Sequence, residues 1–216
     1  VAVARKLSLG VVLYNEGRLN KREIYKPSHF SVEFDNSHNQ VLGVEFKLFF
    51  RENGFDMKIE QTVDKLKVYN FQSSQELVLE DTFSLEEITT ANRYDEWIET
   101  SLYRFRIVRG TKLIDFLQDE TATSSSFHFY SHEQLANWVI ENLKTESNDK
   151  QQNSLLTLEL EGSLIQKLAD YLNASIDELQ AYELREKNQM AVNTIDFIDS
   201  QLVEIELDLK QSEAAL

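Results

Sequence analysis

Residues 191–209 read AVNTIDFIDSQLVEIELDL, and their apolar side chains recur at alternating intervals of three and four residues. On an α-helix this spacing places them along one line, as at the a and d positions of a heptad repeat. We call this line the seam; its members are Ala191, Ile195, Ile198, Leu202, Ile205 and Leu209. The pattern predicts a helix that packs lengthwise against another helix.

The helix is predicted to begin well before the seam. Residues 163–216 contain neither glycine nor proline, and a capping-box pattern at Ser163 marks the start. Such a helix would be about 80 Å long. A second box at Ser175 would allow a restart after a break at Asn173, but a continuous helix is preferred. We expect its first part, up to Leu184, to pack within its own domain.

What covers the seam is a separate question, because few residues follow it in this sequence. Packing between subunits, or on an antiparallel helix outside this sequence, is favoured over packing within the domain. The repeat stops in mid-pattern at Leu216, and VAVARKL at the start resembles the end of a helix. We therefore expect the chain to be a piece of a larger protein, truncated at both ends.

Composition sets limits on function. The 216 residues are 42% hydrophobic and 11% aromatic, which is typical of a folded protein. The formal net charge of −15 disfavours nonspecific binding to nucleic acid, which is itself a polyanion. The absence of cysteine excludes disulfides, thiolate metal sites and cysteine nucleophiles. No stretch has the length and apolarity of a membrane span.

The first 130 residues are predicted to be β-rich. They contain twelve of the 13 phenylalanines and a series of short alternating runs separated by turn residues. Asn53-Gly54 is the clearest hairpin signal and predicts a tight turn with both residues at positive φ. Asn15-Glu16-Gly17 is predicted to be another turn. Together these runs indicate an antiparallel sheet or sandwich.

The residues after 130 change character. Ser131 and Gln134 match a capping box that opens a helix reaching about Leu143. One face of that helix carries Leu135, Trp138, Val139 and Leu143. Lys144–Ser154 is predicted to be a loop and Leu155–Leu160 a strand. The predicted fold class is α+β: a β-rich antiparallel module, residues 1–130 with an N-terminal helix tail, inserted in an α/β base. Residues 131–216 supply the base element and the long helix.

The sequence predicts no catalytic, cofactor or metal site. His128 and His132 are four residues apart, but one lies in an alternating run and the other at a helix start, so surface histidines are favoured over metal ligands. The carboxylates of the terminal helix flank the seam, as on a solvated face. The basic groups Lys21-Arg22 and Arg104, Arg106 and Arg109 are predicted to be charges on strand faces or edges.

Residues 182–202, YELREKNQMAVNTIDFIDSQL, resemble the helix signature of Wzz-type polysaccharide co-polymerases. The signature joins an E-K-N-x-x-A core to an N-T-I-x-F-I-x-x-Q-L continuation. Support upstream follows the family's order: the strand at Leu155–Leu160, the helix at Leu164–Asn173 and the helix start at Tyr130–Asn137. The β-rich part, with Gly17-Arg18 and Arg22-Glu23-Ile24-Tyr25-Lys26 before Phe30, is similar to the insert of the large Bacteroidetes-type members. The resemblance spans most of the chain and is strongest after Ser131.

The resemblance implies a periplasmic domain of a bacterial inner-membrane protein that controls the chain length or export of capsule, O-antigen or exopolysaccharide. It implies homo-oligomers held by the seam, no chemistry in this domain, and a membrane polymerase and its growing glycan as partners. The membrane anchors, and in one subtype a cytoplasmic tyrosine kinase domain, would lie outside this sequence. Glu161-Gly162-Ser163 departs from the Asn/Asp-Pro pair that many relatives carry there.

Two other classes of function remain open. The first is a periplasmic adaptor of an envelope export system, which would favour two antiparallel helices with matched heptads. The second is a sugar-acting or cell-wall enzyme, which ranks last because the sequence shows no catalytic constellation. Tyr94, Trp97 and Tyr103 could contact glycan, although burial in the core is favoured for at least two of them.

Overall fold

The computed structural model describes residues 2–18, 20–80, 83–147 and 156–214. The chain divides into two compact units, Val1–Leu172 and Asn173–Leu216. Antiparallel strands are the main secondary structure of the first unit, and a long C-terminal helix follows them. The predicted α+β class with a β-rich module is confirmed.

The described elements follow one another in two groups. The first group is α1 (Ala2–Lys6), β1 (Val11–Gly17), β2 (Lys21–Ile24), β3 (Phe30–Phe34), β4 (Asn39–Leu42), β5 (Phe46–Arg51), β6 (Gly54–Val63), β7 (Leu66–Asn70), β8 (Gln75–Leu79) and β9 (Phe83–Asn92). The second is β10 (Trp97–Glu99), β11 (Arg104–Arg109), α2 (Leu113–Gln118), β12 (Ala122–Phe129), α3 (His132–Asn142), β13 (Leu143–Ser147), β14 (Leu156–Leu160) and α4 (Ile165–Ala214).

The largest sheet has six strands in the order β2-β1-β12-β5-β6-β9, and every neighbouring pair is antiparallel. Because side chains alternate along a strand, the pairs Leu13–Phe127 and Phe127–Phe46 share the core face. The pairs Tyr14–Ser126 and Glu16–Ser124 share the other. One face of the sheet is therefore apolar, and the other is polar and aromatic.

Aromatic rings fill the core between this sheet and the sheet β10-β11-β3. Phe46 stacks on Phe127 with ring centroids 4.7 Å apart, and meets Phe105 of the second sheet edge-on at 5.1 Å. All three side chains are fully buried. Each buried ring of this kind contributes roughly 2–3 kcal/mol of transfer free energy. A third sheet, β4-β7-β8, adds Val41, Val68 and Tyr69 to the same core.

Two predicted turns differ from the structure. Asn15, Glu16 and Gly17 lie inside β1 because the strand pairs on both sides, with β2 and with β12, and its register shifts only at Gly17. The β5–β6 hairpin is present, but its loop is Glu52-Asn53 and neither Asn53 nor Gly54 has positive φ. Gly54 has a different role: a Cβ there would lie 2.2 Å from the carbonyl oxygen of Asn92 in β9.

The region after residue 130 confirms one prediction and corrects another. Ser131 caps α3: its side chain accepts a hydrogen bond from the Gln134 amide, and the Gln134 side chain accepts one from the Ser131 amide. The predicted loop from Lys144 is wrong at its start, since β13 pairs with β14 from Leu143 opposite Leu160 to Ser147 opposite Leu156. The rest of that loop lies outside the described residues.

The terminal helix α4 is continuous through Asn173, so the alternative of a break there is wrong. The expectation that its apolar residues are covered up to Leu184 is also wrong in part. Ile176, Leu179, Tyr182 and Leu184 are all exposed. The three-and-four spacing predicts that these side chains pack against another element, but it does not indicate whether that element belongs to the same chain or to another molecule.

Candidate functional sites

The seam is exposed in the single chain. Ile195, Ile198, Leu202, Ile205 and Leu209 have exposed fractions of 57%, 50%, 54%, 61% and 58%, and Ala191 is exposed as well. At 100° per residue these six positions fall within about 80° of helix surface. The second unit therefore presents one continuous apolar stripe that the described residues leave exposed.

A second set of apolar side chains on the same helix lies outside the seam. Val192, Val203 and Leu207 are about half exposed and project about 60–120° around the helix from Ile195. Phe197, 64% exposed, lies on a third face. Sequence reasoning passed over these residues because they do not follow the heptad spacing. The seam and the set Val192, Val203 and Leu207 expose two apolar faces, which suits a helix with more than one neighbour better than an isolated pair of helices.

The first unit contains a cavity of about 460 Å³ bounded by β1, α3 and the first turns of α4. Its lining includes four aromatic rings, those of Tyr14, Tyr130, Trp138 and Tyr171. Leu9, Val12 and Val139 form a buried apolar part of the wall. A cavity of this size is in the range that proteins use for small ligands.

Helix α3 supplies one wall of this cavity. Leu135, Trp138 and Val139, predicted to share a face, all line it, and so does Asn142 one turn further on. The Asn142 side chain donates a hydrogen bond to the carbonyl oxygen of Trp138, 2.7 Å away. Val139 is buried, whereas Trp138 remains 39% exposed. A large aromatic side chain is thus held at the cavity without being sealed into the core.

The charged groups at the cavity neutralise each other. Lys167 of α4 and Glu23 of β2 form an ion pair with Nζ and Oε1 2.5 Å apart, and both side chains are mostly buried. Glu161 is paired with Lys144. Burial and a hydrogen bond with Tyr130 raise the pKa of Tyr14, so this phenol is neutral at physiological pH. The cavity therefore offers hydrogen-bonding groups with little net charge.

The polar face of the large sheet continues from Tyr14 to a compact ionic cluster around Glu16. The Glu16 carboxylate lies 2.8 Å from Lys47 Nζ and 3.4 Å from Lys21 Nζ, and accepts hydrogen bonds from Ser124 and Ser126 at 2.8 and 3.2 Å. Burial alone would raise the pKa of Glu16, but the hydrogen bonds from Lys47 and Ser124 outweigh it and lower the pKa to about 2. This cluster fixes the strands β1, β2, β5 and β12 in register.

The histidines are more buried than the sequence suggested. His132 is 4% exposed, with its Nδ1 3.2 Å from the Tyr69 hydroxyl, so the expectation of a surface residue is wrong there. His29 is 5% exposed, its Nε2 lies 2.7 Å from Ser125 Oγ, and burial lowers its pKa to about 4. Ser125 is fully buried, which denies a substrate access to this pair. No group of metal-binding side chains occurs among the described residues.

The predicted basic residues Arg104, Arg106 and Arg109 lie on β11, and Trp97 lies on the neighbouring strand β10. Arg104 pairs with Asp35 at 2.6 Å and Arg106 with Glu33 at 2.5 Å, as expected for charges on a strand face. The two guanidinium groups lie 5.0 and 5.1 Å from the ring centroid of Trp97, which is 43% exposed. Tyr103 is buried and Tyr94 is partly buried against the core.

Comparisons with protein-family models, with curated proteins and with solved structures find no match to this chain. Within the described residues, no helix combines the length and the apolarity needed to span a membrane.

Proposed function

We propose that this chain is a periplasmic scaffold domain of an inner-membrane polysaccharide co-polymerase. Copies of it would assemble through the seam on α4 and set the length, or assist the export, of a surface polysaccharide. The observation that carries the proposal is the exposed seam, whose five large members are each at least half exposed in the single chain. The proposed family rests on the resemblance of residues 182–202 to the co-polymerase helix signature.

Burial of the seam favours assembly only at a high local concentration of the protein. Burying five large apolar side chains would contribute on the order of 10 kcal/mol. Association costs roughly 4–15 kcal/mol in lost freedom of motion, so an isolated pair of helices is marginal. Anchoring in one membrane would raise the effective concentration and shift the balance toward assembly. The free chain should accordingly associate weakly and the anchored protein strongly.

Repulsion between negative charges also disfavours association of the free chain. The net charge of −15 makes copies repel one another at low ionic strength. Asp196, Asp199, Glu204 and Glu206 are exposed on the seam helix, so salt that screens them should promote association. These charges would also keep the free chain soluble until copies are brought together.

The runner-up, an export adaptor, would be favoured by a second long helix that covers the seam. Among the described residues α4 spans 50 residues, whereas the next longest helix, α3, spans 11. A partner helix for the seam must therefore come from another copy or from outside this sequence. The co-polymerase proposal takes the first option.

The test is a double substitution, Ile198→Asp with Leu202→Asp, in the full-length membrane protein. Two carboxylates within the seam should abolish association and shorten or scramble the polymer, because each would have to be buried without a partner. The matched control pair is Met190→Asp with Phe197→Asp, which adds the same two carboxylates to apolar sites that are 60% and 64% exposed and lie off the seam. A normal length distribution in the double variant, or an equal loss in the control, would refute the scaffold role.

A further inference from the structure

The cavity bounded by β1, α3 and the first turns of α4 has no part in assembly through the seam. It lies wholly within the first compact unit, since its lining runs from Leu9 to Tyr171. Its volume of about 460 Å³ would accommodate a few linked rings of a small ligand. The chemistry of its lining indicates which class of ligand suits it.

The aromatic lining favours a ligand with flat, weakly polar faces. Tyr14 comes from β1, Tyr130 follows β12, Trp138 comes from α3 and Tyr171 from α4, so the fold brings four rings to one place. Pyranose sugars present a face of C–H groups that stacks on aromatic rings, and their hydroxyl groups remain at the edge. Trp138 is suited to such stacking because it lines the cavity and is still 39% exposed.

The polar lining favours an uncharged ligand with many hydroxyl groups. Lys167 and Glu23 satisfy each other's charge at 2.5 Å, so neither is left to attract an ion of opposite sign. Asn142 and Gln134 each carry both a donor and an acceptor, and each uses one of them in a hydrogen bond within or just before α3. A polyanion is further disfavoured by the net charge of −15.

We propose that this cavity binds a short segment of a neutral oligosaccharide, stacked on Trp138. A purely aliphatic occupant is disfavoured, because a lipid chain would cover the side-chain amides of Asn142 and Gln134 without meeting their hydrogen bonds. The biological identity of the ligand rests on the proposed function, in which a growing glycan is the partner. The binding chemistry does not rest on it.

The chain offers its own reporter, because Trp97 and Trp138 are its two tryptophans. In a Trp97→Phe variant of the whole chain, all tryptophan emission comes from the cavity. Neutral hexasaccharides of glucose, mannose, galactose or N-acetylglucosamine are then titrated against it. We expect a saturable change in emission with at least one of them. The matched Trp138→Phe variant, which keeps the exposed Trp97 between Arg104 and Arg106, should give none.

Calorimetry on further variants separates stacking from a change in folding. Trp138→Ala should raise the dissociation constant about tenfold or more, whereas Trp138→Phe, which retains an aromatic ring, should raise it less. Both variants are checked by thermal unfolding, and Tyr14→Phe, at a lining residue from β1, supplies a second test should Trp138→Ala fail to fold. Removal of the Tyr14 hydroxyl should weaken binding while leaving both tryptophans in place.

Two results would overturn the proposal. One is the absence of saturable binding by every neutral hexasaccharide; the other is binding of an unrelated decapeptide or of an aliphatic detergent in their place. The seam variant Ile198→Asp with Leu202→Asp separates a failure of the oligosaccharide proposal from a failure of the scaffold proposal. It should bind oligosaccharide with an unchanged dissociation constant even though it does not assemble.

Discussion

The two compact units use their apolar residues in opposite ways. In the first unit, Phe46, Phe105 and Phe127 are fully buried against one another within a single chain. In the second, residues as large as Ile198 and Leu202 remain at least half exposed. The first unit is therefore stabilised by its own core, whereas the apolar surface of the second can contribute only when another molecule covers it.

Replacing one large apolar side chain in each unit by alanine should show this difference most strongly. Phe46→Ala removes a ring from the centre of the core and should lower the free energy of unfolding of the first unit by roughly 3–5 kcal/mol. Ile198→Ala in the same free chain should change it by less than about 0.5 kcal/mol. Urea denaturation followed by circular dichroism measures both. Equal losses would mean that the seam is already buried in the single chain.

Acid should weaken the first unit through His29. Its pKa is about 4 in the folded protein, because burial disfavours the charged form, against an ordinary value of 6.5. The unfolded chain therefore takes up the proton first, and stability present above pH 6.5 is lost as the pH falls toward 4, by about 2–3 kcal/mol.

A variant can test this assignment to His29. His29→Phe combined with Ser125→Ala removes the titrating group and its hydrogen-bond partner together. Thermal unfolding should then lose part of its dependence on pH between 6.5 and 4; burial also lowers the pKa of His128 and of His132, which keep the remainder. If the double variant keeps the slope of the native chain, another group is responsible.

A smaller effect is expected at lower pH from Glu16. Its folded pKa of about 2 lies below the ordinary 4.5 because Lys47 and Ser124 hydrogen-bond the carboxylate against the opposing effect of burial. The stability it contributes is complete above pH 4.5 and is lost as the pH falls toward 2. Since solvent screens part of this interaction, the loss should be about 1–2 kcal/mol. In Glu16→Gln the free energy of unfolding should depend less on pH between 4.5 and 2. A dependence unchanged from the native chain would contradict the assignment.

Local patterns were sufficient for elements whose partners are near in sequence. The Ser131–Gln134 capping box, the β5–β6 hairpin and the helical spacing of α4 all depend on residues a few positions apart, and each element is present. The position of the hairpin turn was predicted one residue too late: Gly54 pairs with Arg51 inside the ladder and is required by Asn92, far along the chain.

Features that depend on distant partners were not predictable from these patterns. Ser124, Ser125 and Ser126 look like turn residues, yet they form the middle of β12 because Glu16 and His29 provide hydrogen bonds about 100 positions away. The cavity likewise gathers Tyr14, Trp138 and Tyr171 from three separate regions. No spacing rule relates those residues, so the sequence pattern predicted the seam but not the cavity.

The central claim is that the seam binds other copies of the same chain. A photo-reactive amino acid placed at Ile198 of the proposed full-length membrane protein tests it directly, with Glu204, about 120° around the helix from Ile198, as the control position. Irradiation should give covalent species at multiples of the subunit mass from position 198 and far fewer from position 204. If position 198 yields only monomer, or if both positions cross-link equally, the seam is not the assembly surface.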